Sequence, residues 1–481
     1  MHLDDYSRFD AVGLAELVRR KEVTPEELLE TAVAAISRVN PKLNAVIDVR
    51  EAEARNLVKQ GLPEGPFRGV PFLVKDLVLH TAGVPTDMGS RLAKGFVFPH
   101  DSGLAARLKR TGLVTLGRTN TPEFGNNATT EPVLHGPTRN PWDLERSPGG
   151  SSGGSGAAVA AGIVPVAHGN DGGGSLRIPA SLCGIFGMKP TRGRVSVGPD
   201  VGEALNGMGV EGVVSRTVRD SAAMMDATQG PEAGDPYQIP PPERPYLDEV
   251  RRKPGRLRIA LSRTAVSGVP VSPDCVAAVE DVARLCVELG HEVVEASPTY
   301  DARMLNKAMT TVWATALSTW AYGLGEMLGR PPGPENLETT TWEVARFGAG
   351  LKVSDLQSAL ATFNTVSRTL GAFFVEHDVL LTPTVAVPPY KLGVLDAMVP
   401  RAPEDWYAHV FGLCPFTALF NVTGQPAMSV PLYWNADGLP IGVQFAGRFA
   451  DEATLFRLAG QLEEARPWAG RRPKVHVTQK A

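Results

Sequence analysis

The sequence predicts an α/β fold: a mixed, mainly parallel twisted sheet surrounded by helices. Three observations carry that expectation. Apolar runs of strand length alternate with segments of helical period along most of the 481 residues. Hydrophobic residues at 43% and charged residues at 21% match globular averages and exclude wholesale disorder. The 50 glycines and 40 prolines follow no G-x-y period, which excludes collagen and favours a loop-rich globular enzyme. The length allows about three domains or one large unit with insertions. A net charge of −4 provides no basic footprint for nucleic acid.

Thr24-Pro25-Glu26-Glu27 reads as a capping box with proline at the first helical position, opening a helix over 25–39. LNAVIDV (43–49) reads as a strand, and GVPFLVKDL (69–77) as a second that ends in charge. Asp101-Ser102 caps a helix to about Thr111, and Gly112 stops it before the strand LVTLG. Glycine, serine and alanine dominate 147–191. Strands follow at 256–263 and in HEVVEAS (291–297), with an amphipathic helix over 274–289 between them. Residues 301–375 are helix-rich. VLLTPTVAVPP comes next, then the strand pair MSVPLYW and LPIGVQFAG around the turn at 435–438, and a last helix at about 451–464.

Cys183, Cys275, Cys286 and Cys414 have no CxxC spacing, which fits a reduced interior rather than a disulfide framework or a zinc site. The acidic N-terminus lacks the basic and apolar regions of a signal peptide. Residues 410–436 carry no charge and are long enough to span a bilayer. Pro415, Asn421, Gly424, Gln425, Pro426 and Pro431 interrupt them, so a buried helix followed by a core strand is expected. The expectation is a soluble, cytoplasmic protein with no membrane contact.

The informative stretch is SPGGSSGGSGAAVAAGIVPVAHGNDGGGSLRIPA, residues 147–180. It lacks the Lys-Ser/Thr of a P-loop and the third glycine of a dinucleotide fingerprint. A flexible linker would not carry the apolar Ala157–Ala161 and IVPVA. Gly149-Gly150-Ser151-Ser152-Gly153 satisfies GxSxG, the nucleophile elbow of an α/β-hydrolase with Ser151 as nucleophile. His168, His291, His377, His409 and His476 lie downstream, so chain order permits that reading. DLERSPGG, however, is not the hydrophobic strand an elbow follows.

The remaining reading joins two serines, Ser151 and Ser175, with a lysine. In Gly172-Gly173-Gly174-Ser175, consecutive N–H groups can converge without Cβ obstruction. Such a nest suits the oxyanion of a tetrahedral acyl intermediate, each donor contributing about 3 kcal/mol. A serine nucleophile needs a base. Lys75, at the end of an apolar strand where desolvation favours the neutral amine, is the candidate; a solvated strand end is the bland alternative for a lone lysine. The histidines are isolated in sequence, and no HExxH or CxxC motif points to a metal.

These residues resemble the signature of the amidase signature family of serine hydrolases. Gly149, Ser151, Gly154, Gly169, Asp171, Gly173, Ser175, Leu176, Arg177 and Pro179 fall on its constrained positions. The resemblance continues through GVPFLVKDL, LGRTNTPEFG, CGIFGMKPTRGRVS, FNVTGQPAMSVP and GLPIGVQFAG. It implies one amidase domain over 1–481, with the signature core at 69–200 and a more variable helical region at about 300–375. It implies Ser175 as nucleophile, Ser151 as bridging serine after a cis Gly150–Ser151 peptide, and Lys75 as base. Ser152 resembles the auxiliary serine that hydrogen-bonds the lysine, and Asp171 with Arg177 a structural pair. The backbone of Gly172, Gly173, Gly174 and Ser175 would form the oxyanion hole. Two positions depart from the usual pattern: Asn170, commonly Thr, and Gly172, commonly Thr, Ile or Ala. Three glycines in a row imply either a more mobile loop or room for a bulky acyl group.

The blocks EPVLHGPTRNPWDLERSPGG, AHGNDGGGSLRIPAS and PWAGRRP are similar to bacterial amidases that hydrolyse the 6-aminohexanoate cyclic dimer. The resemblance thus implies a small, largely apolar linear or cyclic amide as substrate, with aryl acylamides, esters and carbamates as relatives. It implies no cofactor or metal, and leaves room for a homodimer. A glutamine-hydrolysing amidotransferase subunit is the alternative. That branch usually reads RQPA where this chain has Arg177-Ile178-Pro179-Ala180, and the apolar Ile178 argues against a charged amino-acid substrate. A non-catalytic descendant is disfavoured by the intact Lys75, Ser151 and Ser175. For the pocket, Asn126 and Asn127 are candidates to hydrogen-bond a substrate amide, with loop capping as the competing role. Trp313 and Trp320 are candidates to line an apolar wall, with core packing the competing role. The proline-rich 383–415 could close the mouth.

Overall fold

The computed structural model describes residues 1–479. The apolar runs become β1 (Val46–Val49), β2 (Pro71–Lys75), β3 (Val114–Thr119), β4 (Val166–Asp171), β5 (Phe186–Lys189) and β6 (Val210–Ser215). They continue as β7 (Arg258–Leu261), β8 (Glu292–Glu295), β9 (Val379–Pro383), β10 (Ala427–Trp434) and β11 (Pro440–Gly447). All belong to one sheet of order β1-β3-β2-β4-β6-β5-β10-β11-β9-β7-β8.

The sheet is mixed and covered by helices, as expected, but it is not mainly parallel. Parallel pairing is confined to two flanking blocks, β3-β2-β4 and β9-β7-β8, while the six other pairings are antiparallel. The centre shows why alternation misled. β4 and β5 run in the same direction, joined through the helix Arg177–Cys183, but β6 inserts between them antiparallel to both. The β10–β11 hairpin, anticipated from its turn, adds a further reversal.

The helices follow their local signals. Thr24 and Glu27 close the capping box of Pro25–Leu43, which runs past the expected end until Asn44 adopts a left-handed conformation. Ser102 Oγ accepts from the Ala105 amide at 3.2 Å to start Gly103–Arg110. The helix-rich region resolves into Ala302–Leu328, Thr339–Gly350 and Val353–Glu376. The uncharged stretch becomes the end of Pro403–Leu413, the short helix Leu419–Thr423 and the core strand β10. No helix among the described residues is long and apolar enough to cross a membrane.

Two buried apolar clusters flank the signature segment. One holds Phe72, Val166, Leu176 and Ala180; the other holds Ile178, Leu182, Val312 and Trp406. The helix Arg177–Cys183 thus sends alternate faces into different cores. Gly154 shows how tightly the neighbouring helix Gly153–Ala160 is seated. A Cβ there would lie 2.5 Å from the Asn120 amide nitrogen, so only glycine fits.

Candidate active site

Parallel pairing brings the C-terminal ends of β2 and β4 to one edge of the sheet, with Leu73 opposite Ala167. Lys75 closes β2 and is completely buried. Its Nζ donates to Ser151 Oγ at 2.7 Å and to Asn170 Oδ1 at 2.5 Å. Burial pushes the Lys75 pKa down to about 7, against the opposing pull of the Glu211 and Asp171 carboxylates. The Asn170 amide is itself held, since Nδ2 donates to the Leu77 carbonyl at 3.1 Å.

The Gly150–Ser151 peptide is cis, as the resemblance implies. Ser151 and Ser175 line one cavity of about 50 Å³ together with Asn170, Gly172 and Trp313. Ser175 also lines an adjoining cavity of about 30 Å³ with Gly150, Gly173, Asn126 and Tyr407. An elbow reading for Ser151 finds neither of its requirements. No strand leads into the turn, and the side chain meets a lysine rather than a histidine; His168 instead pairs with Glu211 at 2.6 Å.

The loop that carries Ser175 is clamped from below. Arg177 contacts Asp171 through Nε at 3.0 Å and Nη2 at 2.9 Å, and donates to the Thr417 carbonyl, Gln444 Oε1 and Asn421 Oδ1. Burial would raise the Asp171 pKa, but the Arg177 charge and hydrogen bonds outweigh it and hold the group down at about 2. This geometry bears out the structural pair.

Two details differ from expectation. The Gly174 amide donates to Asp171 Oδ1 at 2.8 Å and is therefore unavailable to an oxyanion. The amides of Gly172, Gly173 and Ser175 make no hydrogen bond to a protein acceptor among the described residues. Ser152 does not hold the lysine: its hydroxyl donates to the Asn170 carbonyl at 3.2 Å, and the Asn170 side chain occupies the auxiliary place. At Gly172, which lines the 50 Å³ cavity, close neighbours occupy the place of a side chain. A Cβ there would meet Leu205 Cδ1 at 2.6 Å and the Trp313 ring at 3.2 Å.

Of the pocket candidates, Asn127 lines the 30 Å³ cavity, but its Nδ2 is already engaged in a loop contact, donating to the Leu395 carbonyl at 2.9 Å. Asn126 differs. Tyr407 OH donates to its Oδ1 at 2.7 Å, and its buried Nδ2 finds no partner among the described residues. Trp313 lines both small cavities, and its indole N–H is likewise without a partner. Tyr407, Val410, Phe411 and Cys414 bring the 383–415 segment to the Ser175 side of the site.

Next to the serines lies a chamber of about 460 Å³ that shares Val78, Phe124, Glu211 and Trp320 with the 50 Å³ cavity. Sequence reasoning did not find Leu205, Tyr407 or Thr417 because no motif marks them, although Tyr407 lies within the 383–415 segment expected at the mouth. Asn421 stood within the matched FNVTGQP block, a signal that could have located it.

The profile of the amidase family matches residues 27–456. The 6-aminohexanoate-cyclic-dimer hydrolase of Paenarthrobacter ureafaciens is 40% identical over 482 residues, covering 97% of this chain and 96% of the relative. A solved structure of a 6-aminohexanoate cyclic dimer hydrolase aligns with a TM-score of 0.93 at 39% identity, over 98% of this chain and 99% of that one. A bacterial aryl acylamidase of the amidase signature family aligns with a TM-score of 0.89 at 28% identity, over 98% and 99%. With that family match over most of its length, the chain belongs to the amidase family and is an amide hydrolase acting on carbon–nitrogen bonds outside peptides.

Proposed function

We propose that this protein is a cytoplasmic single-domain amidase that cleaves a small, largely apolar linear or cyclic amide through an acyl-enzyme on Ser175. The observation that carries the reading is a fully buried lysine 2.7 Å from Ser151 Oγ, in a site whose cavity Ser175 also lines. Neutral Lys75 takes the Ser151 proton, Ser151 takes the Ser175 proton, and Ser175 Oγ attacks the amide carbon. The oxyanion is stabilised by the amides of Gly172, Gly173 and Ser175. As the tetrahedral intermediate collapses, the relay runs backwards and protonates the leaving nitrogen, because an amide anion is a very poor leaving group. Water then adds to the acyl-enzyme by the same relay and releases the acid.

Asn126 Nδ2 and the Trp313 indole N–H, both buried and unpartnered, are donors for a polar atom of the substrate. Apolar neighbours such as Ile178, Phe411 and Leu317 favour an uncharged substrate over glutamine. The substrates in the names of the two relatives, a 6-aminohexanoate cyclic dimer and aryl acylamides, are of this kind. Four buried, unpaired cysteines favour a reducing compartment.

The test is a substrate panel on the purified chain, with intact-mass detection of the acyl-enzyme. We expect turnover of anilides or cyclic amides, an acyl adduct on the wild type, and none on Ser175→Ala. If Ser151→Ala loses all activity while Ser175→Ala retains it, the relay is wrong. Glutamine turnover that requires an added partner would assign the chain to the amidotransferase class.

A further inference from the structure

One side-chain cluster on the wall of the large chamber takes no part in the serine chemistry. His80 lies just beyond β2, His100 just before the helix Gly103–Arg110, and Asp200 in the loop following β5. His80 Nδ1 lies 2.9 Å from the Val78 carbonyl oxygen. A carbonyl can only accept, so this contact places the ring proton on Nδ1. The lone pair of the neutral ring is then on Nε2, which faces Asp200 Oδ2 at 3.2 Å. His80 is 3% exposed, and this Nε2 has no hydrogen-bond partner among the described residues. From the other side, His100 Nε2 reaches Asp200 Oδ1 at 2.9 Å. The three ligand atoms lie within 4.8 Å of one another.

The buried His80 Nε2 faces an exposed carboxylate, and two such electron-pair donors repel unless a cation sits between them. An imidazole that donates one N–H to a backbone carbonyl and aims its other nitrogen at a carboxylate is oriented as metal-binding histidines are. The spacing fits as well. Ligands held tetrahedrally at about 2.0–2.1 Å from zinc stand about 3.3 Å apart, close to the 3.2 and 2.9 Å that separate the two histidines from the two Asp200 oxygens. The Phe98 ring, stacked on His80 with centroids 3.6 Å apart, holds the imidazole plane and limits water on that face.

We propose that His80, His100 and Asp200 form a binding site for a divalent transition metal ion of the zinc class. Two Nε2 atoms and a carboxylate supply the ligands, and water takes the fourth place. The ion ties the segment after β2 to the Asp200 loop across the rim of the chamber. This site does not depend on the proposed serine relay.

The test uses the full-length protein freed of metal by a chelator and titrated with Co²⁺, then Zn²⁺. We expect a visible spectrum of four-coordinate cobalt saturating at one ion per chain, displaced by zinc, and a higher Tm with metal present. His100→Gln changes an exposed ring, so folding is not at stake, and it should weaken binding at least about tenfold. Asp200→Asn should do the same. Absence of a cobalt spectrum at millimolar ion, or equal affinity in both variants and wild type, overturns the site. So does an NMR signal showing His80 Nε2 protonated at neutral pH with zinc added, because the cation would then be a proton.

Discussion

Lys75 is the residue whose chemistry departs furthest from its type. Removal from water lowers its pKa from 10.5 to about 7, so an amine that is normally a cation becomes a proton acceptor near neutrality. For the wild type we expect kcat/KM to rise with pH through about 7 and then level off, because only the neutral amine can take the Ser151 proton. A plateau from pH 5 upward would point to a carboxylate or histidine instead. Lys75→Met should lower kcat by about 10²–10⁴, the usual contribution of a positioned base. Its stability should carry a matching signature. Between pH 7 and 10 the unfolded wild type binds a proton at Lys75 that the folded state has released, so wild-type stability climbs with pH. The variant lacks that climb, and urea titrations should show its stability falling behind, or its lead shrinking, across that window. Lys75 was legible because a serine nucleophile needs a base and GVPFLVKDL matches the family pattern; alone, a lysine after an apolar strand reads as a solvated strand end. The role of Asn170 was not, since its departure from the common residue acquires meaning only when β4 is laid beside β2.

At the scale of elements, the decisive unit is the loop between β4 and the helix Arg177–Cys183. Its glycines contribute no side chains to hold it, so its shape is imposed by Asp171, which accepts from the Gly174 and Leu176 amides, and by Arg177, which joins Asp171 to Thr417, Asn421 and Gln444. Arg177→Met would leave the buried Asp171 carboxylate without its ion-pair partner, held only by the Gly174 and Leu176 amides and the Asn421 side chain. Breaking such a pair from one side costs about 3–5 kcal/mol, which chemical denaturation would read directly. The Asp171 contribution in the wild type is present above the ordinary carboxylate pKa of 3.8 and is lost as pH falls toward 2. Loss of less than about 1 kcal/mol in Arg177→Met would mean that the glycine loop holds its shape without the clamp. Helix starts and the closing hairpin were readable because caps and turns are local chemistry. Strand direction was not, because a four-residue strand such as β5 has the same sequence pattern whichever way its neighbour runs.

Over the whole molecule, the site is a junction. Segments from β2, β4, the helix Ala302–Leu328 and the Pro403–Leu413 region meet there, from positions more than 300 residues apart. No motif spans such distances, so the serines and lysine could be read from the sequence, while of the walls only Asn126, Asn127, Trp313, Trp320 and the 383–415 segment were singled out and Leu205 and Leu317 were not. The consequence is steric. Cavities of about 50 and 30 Å³ beside Ser175 hold little more than the reacting amide, so we expect the bulk of a larger substrate to extend into the 460 Å³ chamber beyond Trp320. Gly323 lies on that chamber wall, and a Cβ added there meets nothing within 4 Å. Gly323→Leu should therefore enter open space, and in mid-helix it should stabilise the fold by about 1 kcal/mol. For a cyclic or aryl amide we expect kcat/KM to fall about tenfold or more, the scale on which a few methylenes discriminate in an apolar pocket. For an amide as small as acetamide it should change less than about twofold. Equal effects on the two substrates, or none on either, would show that the chamber lies off the substrate's path.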